Sequence, residues 1–131
     1  MAHATATIGA TRYKVAITTG VHALTADEGP ALGGQDAGPA PYDLLLAGLG
    51  ACTSITLKMY AERKGWDLKA LSVDLKLRKE DDRTHIHRTL HVEGGLDAEQ
   101  RARLADIAER TPVTLTLKAG ADILTELAPA S

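Results

Sequence analysis

One sulfur nucleophile is available to this chain: Cys52, the single cysteine in 131 residues. A thiolate attacks peroxides and disulfides when it is reachable and when a cation or dipole lowers the thiol pKa. With one cysteine there is no intramolecular disulfide, and without a Cys pair or compact Cys/His cluster a structural zinc site is not expected. The competing reading is inert packing, since cysteine is among the most buried residue types. Its neighbours at helical spacing, Leu45, Leu49, Ile55 and Met59, have the character of core. Residue type alone leaves both readings open.

The other chemistry-bearing side chains are weaker candidates. Asp43 precedes Cys52 by nine residues, about 13.5 Å of rise and about 900° of turn on a regular helix, so the two would face opposite ways. A carboxylate there also serves simply as a favourable charge in a first helical turn. His85 and His87 lie two apart, with His91 further along, so all three share one face of a strand. They lack a further ligand and read as exposed polar filler, so no metal is expected. Ser54 and Ser72 have no elbow-like context for a hydrolytic triad. The segment GGQDAG lacks the lysine and Ser/Thr of a phosphate-binding loop. No cofactor is expected.

These residues need elements to position them. YKVAIT (13–18) alternates as a strand, and HALTAD pairs with it after a turn at Thr19-Gly20. EGPALGGQDAGPAP (28–41) holds four glycines and three prolines and reads as a loop of the kind that shapes sites. From Pro41 the pattern predicts one helix of about 24 residues, roughly 36 Å long, started by Pro41 and Asp43 and stopped by Gly65. From Leu44 to Leu57 it carries no charge, so it should be buried on most sides. Gly48, Gly50, Ala47 and Ala51 permit close approach of another backbone. One short chain has limited material to wrap such a rod, and a second copy would supply the cover. A homodimer is therefore expected.

ALSVDLKLR (70–78) alternates strictly, and THIHRTLHV (84–92) follows after a turn in KEDD, which predicts a hairpin with one wet face. After Gly94-Gly95, LDAEQRARLADIAER reads as a second helix with Asp97 as N-cap and Gln100 three residues on. Pro112 ends it. The remainder suggests a helical turn and a last strand near 123–127.

Composition bounds the function. The chain is 44% hydrophobic and 24% charged, and its length suits one domain, 1–131. Fifteen basic against seventeen acidic residues give a net charge of -2, without the basic stripe of a nucleic-acid binder. The stretch LRKEDDR (77–83) interleaves its charges as a solvated turn does. With no phenylalanine and one tryptophan, aromatic stacking on single strands has poor material. No uninterrupted uncharged run reaches the length of a membrane span, and the N-terminus does not resemble a secretory signal. A cytoplasmic protein, with neither membrane nor nucleic acid as partner, is expected.

The segment GGQDAGPAPYDLLLAGLGACTSITLKMYAERKGW resembles the hallmark stretch of the OsmC/Ohr family, the osmotically inducible and organic hydroperoxide resistance proteins. The likeness continues in order through DLKLRKEDDRTHIHRTLHVEG, the helix LDAEQRARLADIAER and the turn TPV. It implies an α+β fold: an intertwined homodimer with a long central helix packed against curved antiparallel sheets and sites at the subunit interface. It also implies thiol-dependent reduction of organic hydroperoxides. Cys52 matches the family's peroxidatic cysteine, Asp43 is the nearest match to its acid, and Arg12, the only arginine before the long helix, is the candidate thiolate partner. The family's second, resolving cysteine precedes a proline; here Thr111 precedes Pro112, so an external thiol or dihydrolipoyl donor would have to resolve the oxidised sulfur. The alternative is a catalytically weak relative that binds a small apolar ligand at the dimer interface.

Overall fold

A computed structural model describes residues 1–130. In chain order the elements are β1 (Thr5–Ile8), β2 (Val15–Thr19), β3 (His22–Ala26), α1 (Pro41–Lys64), β4 (Asp67–Glu80), β5 (Arg83–Gly95), α2 (Ala98–Ala108) and α3 (Pro112–Ala119). A single 3-10 turn, Pro30–Leu32, interrupts the loop before α1. Two compact units are present. The first comprises Met1–Gly48 with Lys76–Ile86, and the second Leu49–Leu75 with 87–130.

The first unit holds an antiparallel sheet in the order β1-β2-β3, with Thr5 opposite Thr18, Ile8 opposite Val15 and Val15 opposite Ala26. The β2–β3 turn falls at Gly20, whose φ of 62° suits glycine. β1 is a strand that residue pattern did not suggest. Its four residues are exposed and are held through pairing with β2. The tip of the β4–β5 hairpin also belongs to this unit. Its connection is tighter than the predicted four residues: Asp81 and Asp82 both adopt positive φ, 54° and 60°, as a two-residue turn that matches strand twist demands.

The second unit is built around Leu57, Leu104 and Ala108, with Tyr60, Trp66, Leu71, Leu90, Val92, Leu96 and Ile107 packed against them. Helices α1 and α2 thus share a core with the base of the hairpin. Gly50 allows part of this packing, because a Cβ there would meet Leu75 Cδ1 at 2.8 Å. α2 begins with the expected capping box: Asp97 Oδ1 accepts from Gln100 N at 2.8 Å, and Gln100 Oε1 accepts from Asp97 N at 3.0 Å.

Two expectations need correction. Residues 123–127 form no strand, and Ile123, Leu124 and Leu127 are exposed. A strand exists only when a partner edge takes its N–H and C=O groups, and apolar β-branched content does not supply one. α1, moreover, is buried along one stripe, Leu49, Thr53, Leu57 and Ala61, rather than on most sides; Leu45, Ile55 and Met59 are exposed. By length and composition α1 would suffice to cross a membrane, with mean hydropathy 1.4 over its most apolar window. Its buried stripe is instead committed to protein packing, Leu57 being fully enclosed.

Candidate active site

Cys52 sits in the middle of α1, one position before Thr53 of the buried stripe. A step of one residue turns the helix by about 100°, which brings the sulfur to the margin of the packed face. It is half-buried and reduced, with Sγ 3.9 Å from Thr56 Oγ1. Of the four helical neighbours expected to enclose it, only Leu49 is buried. Cys52, Ile55 and Met59, spaced i, i+3 and i+7, share a face. The thiol therefore borders an exposed apolar strip and is not sealed in core.

Arg12 and Asp43 belong to the first unit, whereas Cys52 belongs to the second. Arg12 is exposed in the connection between β1 and β2, its guanidinium 5.7 Å from the centre of the Tyr13 ring. Asp43 occupies the first turn of α1, and its Oδ2 accepts from Ala40 N at 3.2 Å. This satisfies an otherwise free amide at the helix start, the bland role that residue type already suggested.

Thr111, at the position that the resemblance assigns to a second cysteine, is fully buried. It N-caps α3 ahead of Pro112, and its hydroxyl lies 2.6 Å from Thr114 Oγ1. Beside it is a residue that pattern reasoning passed over. Arg88 on β5 has a side chain only 11% exposed. Its NH1 donates to Thr53 Oγ1 at 2.9 Å and to Thr114 Oγ1 at 2.8 Å, and its NH2 to the Ala108 carbonyl at 2.8 Å and Glu109 Oε2 at 3.2 Å. One guanidinium thus ties α1, beside Cys52, to the end of α2 and the start of α3. The signal was present: Arg88 shares strand parity with Ile86, Leu90 and Val92, so a charge stands on the apolar face.

Asp27 was missed as well. Only 2% exposed, it accepts four backbone hydrogen bonds: from Tyr13 at 3.2 Å and Glu28 at 2.7 Å on Oδ1, and from Gln35 and Ala37, each at 3.1 Å, on Oδ2. The Ala37 amide above all, then those of Glu28, Gln35 and Tyr13, holds its carboxyl below the usual carboxylate range against the opposing effect of burial. A third polar feature lies elsewhere in the second unit. Arg103 Nε donates to the Tyr60 hydroxyl at 3.1 Å, which together with the Arg103 charge lowers the phenol below its usual range. His85, His87 and His91 enter no group of metal-ligand type: among the described residues, no three His, Cys, Asp or Glu side chains cluster so as to hold an ion.

Half-buried thiol, α1 flanked by a hairpin and two short helices, and a three-stranded N-terminal sheet together define a thiol-bearing α+β class of protein. The model of the family described as OsmC-like protein matches residues 33–126. The chain belongs to this OsmC family, as a member with one cysteine. Among solved structures it resembles an OsmC-like protein from Mycoplasma pneumoniae, with TM-score 0.79 at 18% identity over 90% of this chain and 87% of that one. It resembles an organic hydroperoxide resistance protein from Legionella pneumophila with TM-score 0.68 at 22% identity, over 90% and 89% of the two chains. For the organic hydroperoxide resistance protein OhrB of Bacillus subtilis the TM-score is 0.63 at 26% identity, over 93% of each. No protein of curated function matches the chain.

Proposed function

We propose that this protein reduces organic hydroperoxides in the cytoplasm through Cys52 alone, an external thiol completing the cycle. The observation that carries the reading is a reachable lone thiol beside an apolar strip in a chain of the OsmC family, which resembles solved organic hydroperoxide resistance proteins. The Cys52 thiolate attacks the terminal oxygen of the hydroperoxide, and the O–O bond breaks. The alkoxide leaves as the alcohol after taking a proton, and the sulfur is oxidised to sulfenic acid. An external thiol then condenses with the sulfenic acid, releasing water and forming a mixed disulfide. A second thiol, or the second sulfur of a dihydrolipoyl group, attacks that disulfide, freeing Cys52 as thiolate and carrying away the oxidised donor. Arg12 is assigned to stabilise the thiolate and Asp43 to orient Arg12, roles supported by the family resemblance. Ile55 and Met59, on the face of Cys52, favour an alkyl tail over hydrogen peroxide. The active species is a homodimer in which a second copy covers this face of α1.

Reaction of the reduced protein with cumene hydroperoxide tests the proposal. One thiol per chain should be lost with sulfenic acid formed, glutathione or a dihydrolipoyl donor should sustain peroxide consumption, and Cys52→Ser should abolish both. Retention of the thiol in excess hydroperoxide would refute it. Consumption seen only in Thr111→Cys would show that the missing resolver limits this chain.

The exposed strip also supports a second reading, a weakly catalytic relative that binds a small apolar ligand at the dimer interface. It predicts an unreactive Cys52 and ligand binding undiminished in Cys52→Ser.

A further inference from the structure

We propose that the cleft between the end of α1 and the start of α2 binds an amino acid with an aromatic side chain, held as its zwitterion. The inference is independent of the chemistry assigned to Cys52. The cleft lies wholly within the second unit, and its volume of about 600 Å³ is of the size that holds small molecules. Its apolar wall is the corner made by Tyr60 and Trp66, with ring centres 5.5 Å apart and planes at 73°. Both residues pack against the Leu57–Leu104–Ala108 core and also line the cleft. Gly65, with a φ of 68°, ends α1 and turns the chain; the Trp66 amide then donates to the Ala61 carbonyl at 2.9 Å. The Tyr60 ring is steadied from the other side. Arg103 Nε donates to its hydroxyl at 3.1 Å, and Asp106 holds the same guanidinium at 2.9 Å. The corner is therefore formed before a ligand arrives, and little side-chain entropy is lost in ordering it on binding.

The rest of the lining carries both signs of charge. Lys64, in the last turn of α1, keeps its ammonium 5.7 Å from the centre of the Tyr60 ring, and Glu99 stands in the first turn of α2. Each is favoured where it stands by the dipole of its own helix. Among the described residues neither enters an ion pair. Opposite charges that line one cleft without closing on each other leave a place for a ligand that carries both. Gln100 spends its side-chain oxygen on the Asp97 amide, so its NH2, without a partner among the described residues, adds a donor. A simple anion would meet the Glu99 and Asp97 carboxylates, and a simple cation the charges of Lys64 and Arg103. A zwitterion suits both, with its carboxylate toward Lys64 and Gln100 and its ammonium toward Glu99. In an α-amino acid the two groups share one carbon, on which the long Lys64 and Glu99 side chains can converge. Aromatic pairs gain more than the area they bury, so the Tyr60–Trp66 corner favours a ring over an aliphatic chain.

Trp66 is the sole tryptophan, so its emission reports on the cleft in the intact protein. Phenylalanine, which does not absorb where tryptophan is selectively excited, is the probe. Phenylpropionate lacks its ammonium, phenethylamine its carboxylate and alanine its ring. Phenylalanine should change the Trp66 emission saturably, and calorimetry should return the same Kd. Phenylpropionate and phenethylamine should each bind about fivefold more weakly, the scale of one solvent-accessible charge pair, and alanine should give no saturable change. Lys64→Met should weaken phenylalanine by a similar factor while leaving phenethylamine no weaker. Glu99→Gln should weaken phenylalanine while leaving phenylpropionate no weaker. Both side chains are exposed, so circular dichroism should be unchanged in either variant. Emission that fails to saturate with phenylalanine overturns the inference, as does equal affinity for phenylpropionate, phenethylamine or alanine. Weakening of all the ligands alike by either charge variant would mean a lost cleft and not a lost charge contact, and would overturn it too. The ligand series on the wild-type protein decides the matter even where a variant fails to accumulate.

Discussion

Arg88 gathers four acceptors onto one guanidinium, and removal of the donor would leave the Thr53 and Thr114 hydroxyls and the Ala108 carbonyl short of partners in a largely enclosed place. Each buried polar group deprived in this way costs of order 1–3 kcal/mol, although Thr53 and Thr114 keep bonds to the Leu49 and Ala108 carbonyls. The solvent-facing ion pair with Glu109 adds little. Arg88→Ala should therefore destabilise the protein by about 2–4 kcal/mol in equilibrium denaturation, and Arg88→Lys by less, since an ammonium reaches some of the same oxygens. A change within about 0.5 kcal/mol, the range of ordinary surface substitutions, would show the network to be dispensable. At this scale the sequence was legible for Cys52, whose uniqueness singles it out, and for Asp43, whose place in a first turn predicts the amide that it accepts. Arg88 and Asp27 were hidden for a common reason. Their importance comes from partners 20 to 35 and 8 to 14 residues away respectively, and pattern within a single segment cannot show which distant acceptors or donors converge.

Among the elements, the loop before α1 shows the difference between composition and conformation. Its glycines and prolines marked it as irregular; that Gly34 and Gly38 serve close approach to the Glu28 and Thr25 carbonyls follows from the wrapped chain alone. Gly34→Ala must displace backbone and not merely a flexible side-chain tip, a kind of overpacking that costs about 1–3 kcal/mol. The expected signature is a lower denaturation midpoint with faster exchange at the Gln35 and Ala37 amides; wild-type exchange there would show that the loop has slack. Elements bounded by strong local chemistry matched their predicted limits closely. α1 starts at Pro41 and ends before Gly65, and α2 starts after Asp97 with both halves of its capping box made. These are contacts among residues three or four apart, which a single segment specifies. β1 and the segment 123–127 were misread in opposite directions because a strand is defined by its partner. TATI, with little alternation, becomes a strand by pairing with β2, whereas ADILTEL, with better strand composition, pairs with nothing among the described residues.

Over the whole molecule, the unmet expectation about α1 gives the most direct prediction. A helix without charge from Leu44 to Leu57 should be covered, yet Ile55 and Met59 are 55% and 54% exposed in the single chain. Two large apolar side chains at i and i+4 lie side by side, and Cys52 lies on the same face one turn earlier. Water is a poor solvent for such a strip. Each such side chain contributes about 1.5–3 kcal/mol when it is fully buried, and part of that is realised when a second copy covers a surface already half-enclosed. Glutamate at either position would place a charge where the proposed interface is driest, and burying it unpaired costs more than the lost apolar contact. Ile55→Glu with Met59→Glu should therefore weaken self-association by at least about a hundredfold, or roughly 3 kcal/mol, while the Leu57–Leu104 core keeps each chain folded. Sedimentation should show wild type at twice the chain mass at micromolar concentration and the double variant shifted to a single chain, with circular dichroism unchanged. A monomeric wild type, or an undisturbed dimer with both glutamates in place, would exclude this face as the seam. The result also bears on the thiol. If Cys52 lies at an interface, dispersal of the dimer should raise its alkylation by bulky maleimides while slowing its oxidation by alkyl hydroperoxides, because access increases as the apolar surroundings that hold the alkyl tail are lost.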